Sequence, residues 1–539
     1  MRIDIIRTYK SVHTWTGIVA GLFLFIAFYA GAITVFEKPL ERWSSPPAKL
    51  EATTLEQAHE LITLTNAVRP ESRRDFTLHL GESQEIPARL TWQKSREDDE
   101  PLSASLTEDG GILVTRLRPP GLAQLVDDLH RTGGLPGDEE VGAAVMGVVS
   151  GLYVLALVSG LIILLPSLVK DLFALRIGPN LKRMWMDAHN LVGLVSLPFH
   201  LVIGLSAVVF GLHDQIYDVL DRVVYEGNLQ KVMKNTSPLA AIPRDRRPAD
   251  MLPPQDLLAR VHALAPEFRP YALQYRDAGT KGASVRVWGK DERYLMRGKG
   301  MVVISPVTGE IVNTDYLPGH QSGYSATVAA FFSLHFASFG GPPVKWGYLA
   351  LGLAGAFLFY SGNLLWVESR RRSERRAGGP VSQSRNTLWM AALTVGVCLG
   401  CVAGISAAVV ASKWLSGKVG NLEFWLRCVY YAVFVSAVAW AFARGAGRAG
   451  HELPWLAAAA TAAIPATSLL AVAVPGLGLW ARDGSWGVDA TALAGALALV
   501  WVGSAARRRA RSGPRDSVWA RTPMEATAAT AEPVAEAAQ

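Results

Sequence analysis

Charge is scarce in this chain of 539 residues: 18% are Asp, Glu, Lys or Arg against 50% hydrophobic, and the mean hydropathy is +0.21. That balance excludes a soluble multidomain protein, and the polar stretches between apolar ones exclude a single uninterrupted bundle. Cysteine is almost absent. Cys398, Cys401 and Cys428 all fall inside apolar runs, so no disulfide framework supports the exposed regions. Cys398 and Cys401 share a helix face and read as buried small residues rather than a redox or metal pair. No G-x-G-x-x-G follows a strand pattern and no P-loop occurs, which excludes an encoded nicotinamide or flavin domain and an ATPase. The basic surplus, 53 against 46, does not signal nucleic acid, because the arginines gather at the ends of apolar segments, where they orient helices in a membrane.

Segments long enough to cross roughly 30 Å of hydrocarbon lie near 15–36, 142–165, 190–212, 345–367, 387–411, 424–443, 454–475 and 488–505. The expected fold is therefore a polytopic α-helical membrane protein of about eight transmembrane helices. The first run is too long for a signal-peptide core and reads as an uncleaved span. Positive charge follows the even-numbered spans: Lys170, Arg176, Lys182 and Arg183, then Arg370 to Arg376, then Arg444 and Arg448, then Arg507 to Arg511. Both termini are expected in the cytoplasm.

The long first and third connections then lie outside. Each begins with a helical pattern, Thr54 to Ala67 and Pro254 to Leu264, followed by alternating segments such as 76–80, 88–92 and 284–288. Each reads as a small α+β module. The expected organisation is a first transmembrane helix (1–44), a module (45–140), the second and third helices (141–213), a second module (214–338), the fourth helix (339–375), a four-helix extension (376–510) and a tail (511–539) that is Ala-, Glu- and Pro-rich and expected to be disordered. Span, module, span occurs twice. Both copies enter from one side, so they should be related by an axis along the membrane normal.

The repeat extends to histidines. His13 and Gly17 recur as His189 and Gly193, each pair near the start of an apolar run, and Leu129-His130 recurs as Leu334-His335, each followed by a Gly-Gly pair. Histidine in a membrane segment is costly and calls for a named partner. Neutral imidazole ligates haem iron well, and two axial histidines leave no open site for oxygen. Under the pseudo-twofold, His13 would face His189 in an inner layer and His130 would face His335 in an outer one, with Gly17 and Gly193 letting a flat macrocycle approach. The competing reading is interfacial anchoring or helix packing. His200, eleven residues after His189 and on nearly the same face of a straight helix, is an alternative ligand for either layer or a buried hydrogen-bonding residue. His213 matches Glu37 and reads as interfacial, whereas His59, His79, His262, His320 and His451 read as ordinary surface residues. No C-x-x-C-H occurs, so haem b, two copies by this count, would be held noncovalently.

His13-x-Trp15-x-Gly17, an outer module, Leu129-His130 before a span, His189-x-x-x-Gly193 and a strand ending Pro306-Val-Thr-Gly-Glu310 together resemble the PepSY-associated transmembrane family of bacterial inner-membrane proteins. The resemblance covers about 1–375, and the last four spans resemble the extension of longer members. It implies extracytoplasmic PepSY modules, an association with iron uptake and, for the siderophore-reductase branch, haem-bearing helices that pass electrons outward to a ferric siderophore. Haem ligation would fall on His13, His130, His189 and His335. Electrons would enter from quinol or another donor. Trp92, Trp288, Tyr271, Tyr275, Arg276 and Arg286 could line a chelate site, although aromatic residues at alternating strand positions are more often core. The other reading is a non-enzymatic membrane module whose outer part binds or regulates an envelope partner such as a protease. A transporter is disfavoured because the spans lack buried carboxylates, Glu37 and Glu368 lying at span ends, and lack interruptions at matching positions.

Overall fold

The computed structural model describes residues 3–47, 53–81, 89–93, 101–116, 121–169, 181–235, 242, 245–296, 300–376, 381, 383–481 and 484–520. Of the tail expected to be disordered (511–539), residues 511–520 are described and pack on the bundle, with Val518 and Ala520 buried, while residues 521–539 and the basic residues Lys170 and Arg176 lie outside the described residues.

The first half runs α1 (Ile3–Thr34), α2 (Glu37–Ser44), α3 (Ala58–Val68), β1 (Asp75–His79), β2 (Leu90–Trp92), β3 (Leu102–Leu106), β4 (Ile112–Arg116), α4 (Leu122–Thr132) and α5 (Glu139–Leu164). The second runs α6 (Leu181–Val195), α7 (Leu197–Gly211), α8 (His213–Val223), α9 (Leu229–Asn235), α10 (Pro254–Leu264), β5 (Arg269–Arg276), β6 (Ser284–Lys290), β7 (Gly300–Ile304), β8 (Ile311–Tyr316), α11 (Gly323–Phe336) and α12 (Gly341–Arg376). The extension is α13 (Arg385–Leu415), α14 (Leu422–Arg444), α15 (Ala446–Ala473) and α16 (Trp486–Ser512).

Among the described residues, α1, α5 and α12 to α16 are seven helices long and apolar enough to cross a membrane, and the pair α6 and α7 makes eight if it is one span. The chain is a multi-pass membrane protein. Val148, Leu155, Leu469 and Trp501 are exposed along these helices, as lipid-facing residues are. Side chains cap the starts: Asp138 accepts from the Val141 N–H at 3.0 Å, and Asn421 from that of Phe424 at 3.0 Å.

The expected straight third span over 190–212 is broken. The chain bends by 71° between α6 and α7 at Ser196, where Pro198 has no N–H to continue the ladder. The first span carries no such break, so the two halves differ here.

Helices of the two halves cross at equivalent glycines. Gly147 and Gly352 follow His130 and His335 at the same spacing. A Cβ on Gly211 of α7 would come within 2.6 Å of the Gly147 Cα in α5, and one on Gly352 of α12 within 2.9 Å of the Ala32 Cβ in α1. Close backbone approach of this kind is how small residues pack membrane helices.

The two connections do not form separate modules. Their strands join into one eight-stranded sheet of order β4-β3-β2-β1-β5-β6-β7-β8. Equivalent strands β1 and β5 pair antiparallel at its centre, Phe76 with Tyr275, Thr77 with Gln274 and Leu78 with Leu273, so the pseudo-twofold runs through that pair. A short half-sheet on its own leaves an open edge at β1 or β5, and pairing the two edges satisfies both. α3 and α10 cover one face, with Leu61, Ile62, Leu257 and Val261 in a core shared with Phe76, Trp92, Leu273 and Tyr275. The sheet lies beyond the C-terminal end of α1, on the side of the bundle away from the chain's start.

Polar groups dock the extension onto the core at both ends. Toward the sheet, the Lys413 ammonium sits 3.7 Å over the Trp43 ring and donates to the Trp480 carbonyl at 2.9 Å, while Asp489 accepts from Trp43 Nε1 and Ser468 Oγ, each at 2.9 Å. At the other end, Glu368 is buried rather than exposed at a span end. Arg371 donates to it and, at 2.9 Å, to Asp516 beyond α16.

Candidate functional site

The four repeated histidines meet in two facing pairs. His13 of α1 and His189 of α6 have ring centres 6.3 Å apart, and His130 of α4 and His335 of α11 have ring centres 6.1 Å apart.

Each ring is anchored through Nδ1. His13 Nδ1 lies 2.8 Å from the Ala156 carbonyl of α5, and His130 Nδ1 lies 2.8 Å from the Ala27 carbonyl of α1. Carbonyls only accept, so both nitrogens carry the proton. His189 Nδ1 is 3.0 Å from Ser361 Oγ, and His335 Nδ1 is 2.6 Å from Ser206 Oγ. Those hydroxyls donate elsewhere, Ser361 to the Leu358 carbonyl at 3.1 Å and Ser206 to the Val202 carbonyl at 2.6 Å. They therefore accept from the imidazoles. All four rings share one tautomer with the lone pair on Nε2, the arrangement in which an outer hydrogen bond orients a metal-ligating histidine. Ala156 and Ser361 follow His130 and His335 at equal spacing, so the inner anchors obey the repeat.

The glycines that make room for the rings are not those of the sequence pattern. A Cβ on Gly17 would meet nothing within 4 Å, and one on Gly193 would touch only Leu358. By contrast, a Cβ on Gly31 would sit 2.7 Å from His130 Nδ1, and one on Gly160 would sit 3.0 Å from His13 Cε1. Helical sequence alone carried no signal for these two, since each faces a histidine on another segment.

Beside the outer pair is a cavity of about 1600 Å³, lined by His130, His335, Gly31, Tyr153, Phe210 and Arg131 among others. This exceeds the roughly 300–1,000 Å³ of drug-sized sites. Among the described residues no group of three or more His, Cys, Asp or Glu could hold a metal ion.

His200 stands apart from both pairs. The same-face argument assumed a straight helix, and the bend at Ser196 removes it. The residue is 0% exposed, neither ring nitrogen has a hydrogen bond among the described residues, and its neighbours include the rings of Phe28, Tyr153 and Phe199, at 5.5, 6.1 and 5.4 Å. His213 is exposed beside Asp214, 3.0 Å away, at the cavity mouth. His79 bonds Thr91 at 2.9 Å and His451 bonds the Gly447 carbonyl of its own helix at 3.2 Å, while His59, His262 and His320 are exposed.

Of the aromatic residues on the strands, Tyr275 and Trp92 are core, the Tyr275 ring stacking on Phe76 at 4.6 Å. Tyr271 and Trp288 are half-buried, and Trp288 Nε1 donates to Gln274 at 3.2 Å. Arg276 is exposed on the uncovered face, and partial burial followed by the charge of Arg276 lowers the pKa of the Arg286 guanidinium.

A family model described as the PepSY-associated TM region matches residues 10–369. The chain belongs to this family. No curated protein matches it. The PepSY-associated match takes in all four paired histidines and the whole sheet, and it ends inside α12, before the four extension helices.

Proposed function

We propose that this PepSY-associated protein is a haem-containing oxidoreductase of the inner membrane that passes electrons outward to an extracytoplasmic ferric chelate, as in the siderophore-reductase branch of its family. The observation that carries the reading is the set of four imidazoles in two facing pairs, each with Nδ1 anchored and Nε2 left as a lone pair. A nitrogen bound to a first-row metal is about 2.0–2.1 Å from it and the ring centre about 1.1 Å farther back, so two rings flanking one iron would stand about 6.2–6.4 Å apart. The pairs stand at 6.3 and 6.1 Å.

On this reading His13 and His189 would hold one haem b, and His130 and His335 a second. A haem held by these imidazoles would supply one-electron exchange. Ala156, Ala27, Ser361 and Ser206 fix the tautomer and raise ligand basicity. The rings of Phe28, Tyr153, Phe199 and Phe359 pack together, Phe28 lying 5.2 Å from Phe359 and 5.6 Å from Tyr153, and Phe28, Tyr153 and Phe199 line the cavity. Quinol or another donor would serve the inner pair. Arg276 and Arg286, on the face of the sheet that α3 and α10 leave uncovered, suit an anionic ferric chelate such as a siderophore. Iron would be released because Fe(II) is a weaker guest of hard oxygen donors than Fe(III).

The test is a dithionite-reduced minus oxidised visible spectrum of detergent-purified protein made with ample haem. A b-type signal with two haems per chain is expected. His13→Ala or His189→Ala should remove one, and His130→Ala or His335→Ala the other. Absence of any b-type signal ends this reading.

A further inference from the structure

The extension helices lie outside the family match, yet α14 reaches the short helix that carries His130. α4 divides its residues between three neighbours. Ala123, Asp127, His130 and Arg131 line the cavity, and Leu122, Leu125, Val126 and Leu129 are buried in the bundle core. Asp128, only 5% exposed, turns its carboxylate to α14. One oxygen accepts from Arg427 and the other from Gln124 Nε2 at 2.7 Å. Arg427 is itself steadied by Glu423, with Nη2 at 2.7 Å and Nε at 3.2 Å from the same oxygen. Nearby, the Tyr431 hydroxyl donates to the Gly134 carbonyl at 3.4 Å.

α4 is held on the bundle by the burial of Leu122, Leu125, Val126 and Leu129 and by His130 Nδ1 at the Ala27 carbonyl, and its ion pair to the extension is Asp128 with Arg427. The eleven residues of α4 are too few for a self-sustaining helix. Both ends are glycines in the left-handed region, Gly121 at φ 67° on one side and Gly133 and Gly134 at φ 61° and 78° on the other, which terminate the helix, and a Cβ on Gly121 would sit 2.9 Å from the Glu423 Cβ of α14. A carboxylate buried beside α14 without its guanidinium would be strongly disfavoured, and the helix would relieve it by turning. His130, two residues on, turns with it.

We infer that Arg427 is a positioning residue through which the C-terminal extension fixes the rotation of α4, and with it the setting of His130 against His335. The consequence for a haem rests on the proposed function; the clamp itself does not.

The test therefore has two arms on the full-length protein. Hydrogen exchange of residues 122–132 is compared in the unaltered chain, Arg427→Gln, Asp128→Asn, the double variant and Arg427→Lys, with Arg444→Gln, which removes an ion pair to Glu452 elsewhere in the extension, as control. Arg427→Gln should speed exchange in 122–132 about tenfold or more and leave α1 and α5 unchanged. Arg427→Lys should recover most of the protection, and the double variant should be no worse than either single one. In haem-loaded protein, Arg427→Gln should shift one of two low-spin ferric resonance signals, the one that His130→Ala abolishes, and not the other. Unchanged exchange at 122–132, or a loss matched by Arg444→Gln, overturns the clamp. Faster exchange beside an unshifted signal overturns its link to His130. If the protein holds no haem, the exchange arm still decides the clamp and only the proposed function falls. Should Arg427→Gln fail to fold, Asp128→Asn and Arg427→Lys carry the same comparison.

Discussion

Both ring nitrogens of His200 are enclosed by aromatic carbon and bond to nothing, which leaves a donor and an acceptor unsatisfied at a cost of about 1–3 kcal/mol each. Phe fills a similar volume without those groups. His200→Phe is thus expected to leave thermal stability unchanged or raise it by about 1 kcal/mol, with the haem content of the purified protein unaltered. Loss of a haem in that variant would make His200 a ligand and displace one of the four paired residues. The paired histidines themselves were legible because the duplication writes them twice. Their anchors were not: two are backbone carbonyls, which have no signature in sequence, and two are serines on other helices that look like ordinary small packing residues. The spacing of Ala156 and Ser361 from the repeated histidines was the one available hint.

At the scale of elements, helix existence and type followed from apolar length, and the misreadings came where a local device was hidden in an apolar run. Pro198 sits within the third span, where surrounding Leu, Val and Phe keep hydropathy high while its missing N–H bends the chain. The sheet is a subtler case. Each connection reads as a helix followed by strands, and nothing local says that β1 seeks β5 rather than solvent, because edge pairing is decided by the twofold that brings the halves together. A single sheet makes an unusual prediction. Tyr275 is 1% exposed and stacks on Phe76 across the junction, so Tyr275→Ala should cost about 3–5 kcal/mol. Hydrogen exchange should then rise in β2 as well as β6, although β2 belongs to the other connection. Loss of protection confined to β5 to β8 would mean that the two halves fold independently.

For the whole molecule, the question is which way it faces. Arg370, Arg371, Arg372, Arg375 and Arg376 at the end of α12, Arg444 and Arg448 at the turn between α14 and α15, and Arg507 to Arg511 at the end of α16 all lie on one side, opposite the sheet. Clustered arginine resists transfer across a membrane, and the proposed orientation, with that side cytoplasmic and the sheet outward, rests on this. Part of this cluster also has a structural use, since Arg371 and Arg375 bind Asp516. Orientation can be read directly from single cysteines. Cys398 and Cys401 are buried and Cys428 is half-buried within α14, so background labelling by a membrane-impermeant maleimide should be low. Glu108→Cys and Glu310→Cys, both exposed on sheet turns, should label in intact cells, whereas Arg385→Cys and Arg511→Cys should label only after the membrane is opened. The reverse pattern would put the sheet and the outer histidine pair in the cytoplasm, where an extracytoplasmic ferric chelate cannot reach them, and would overturn the proposed direction of electron flow.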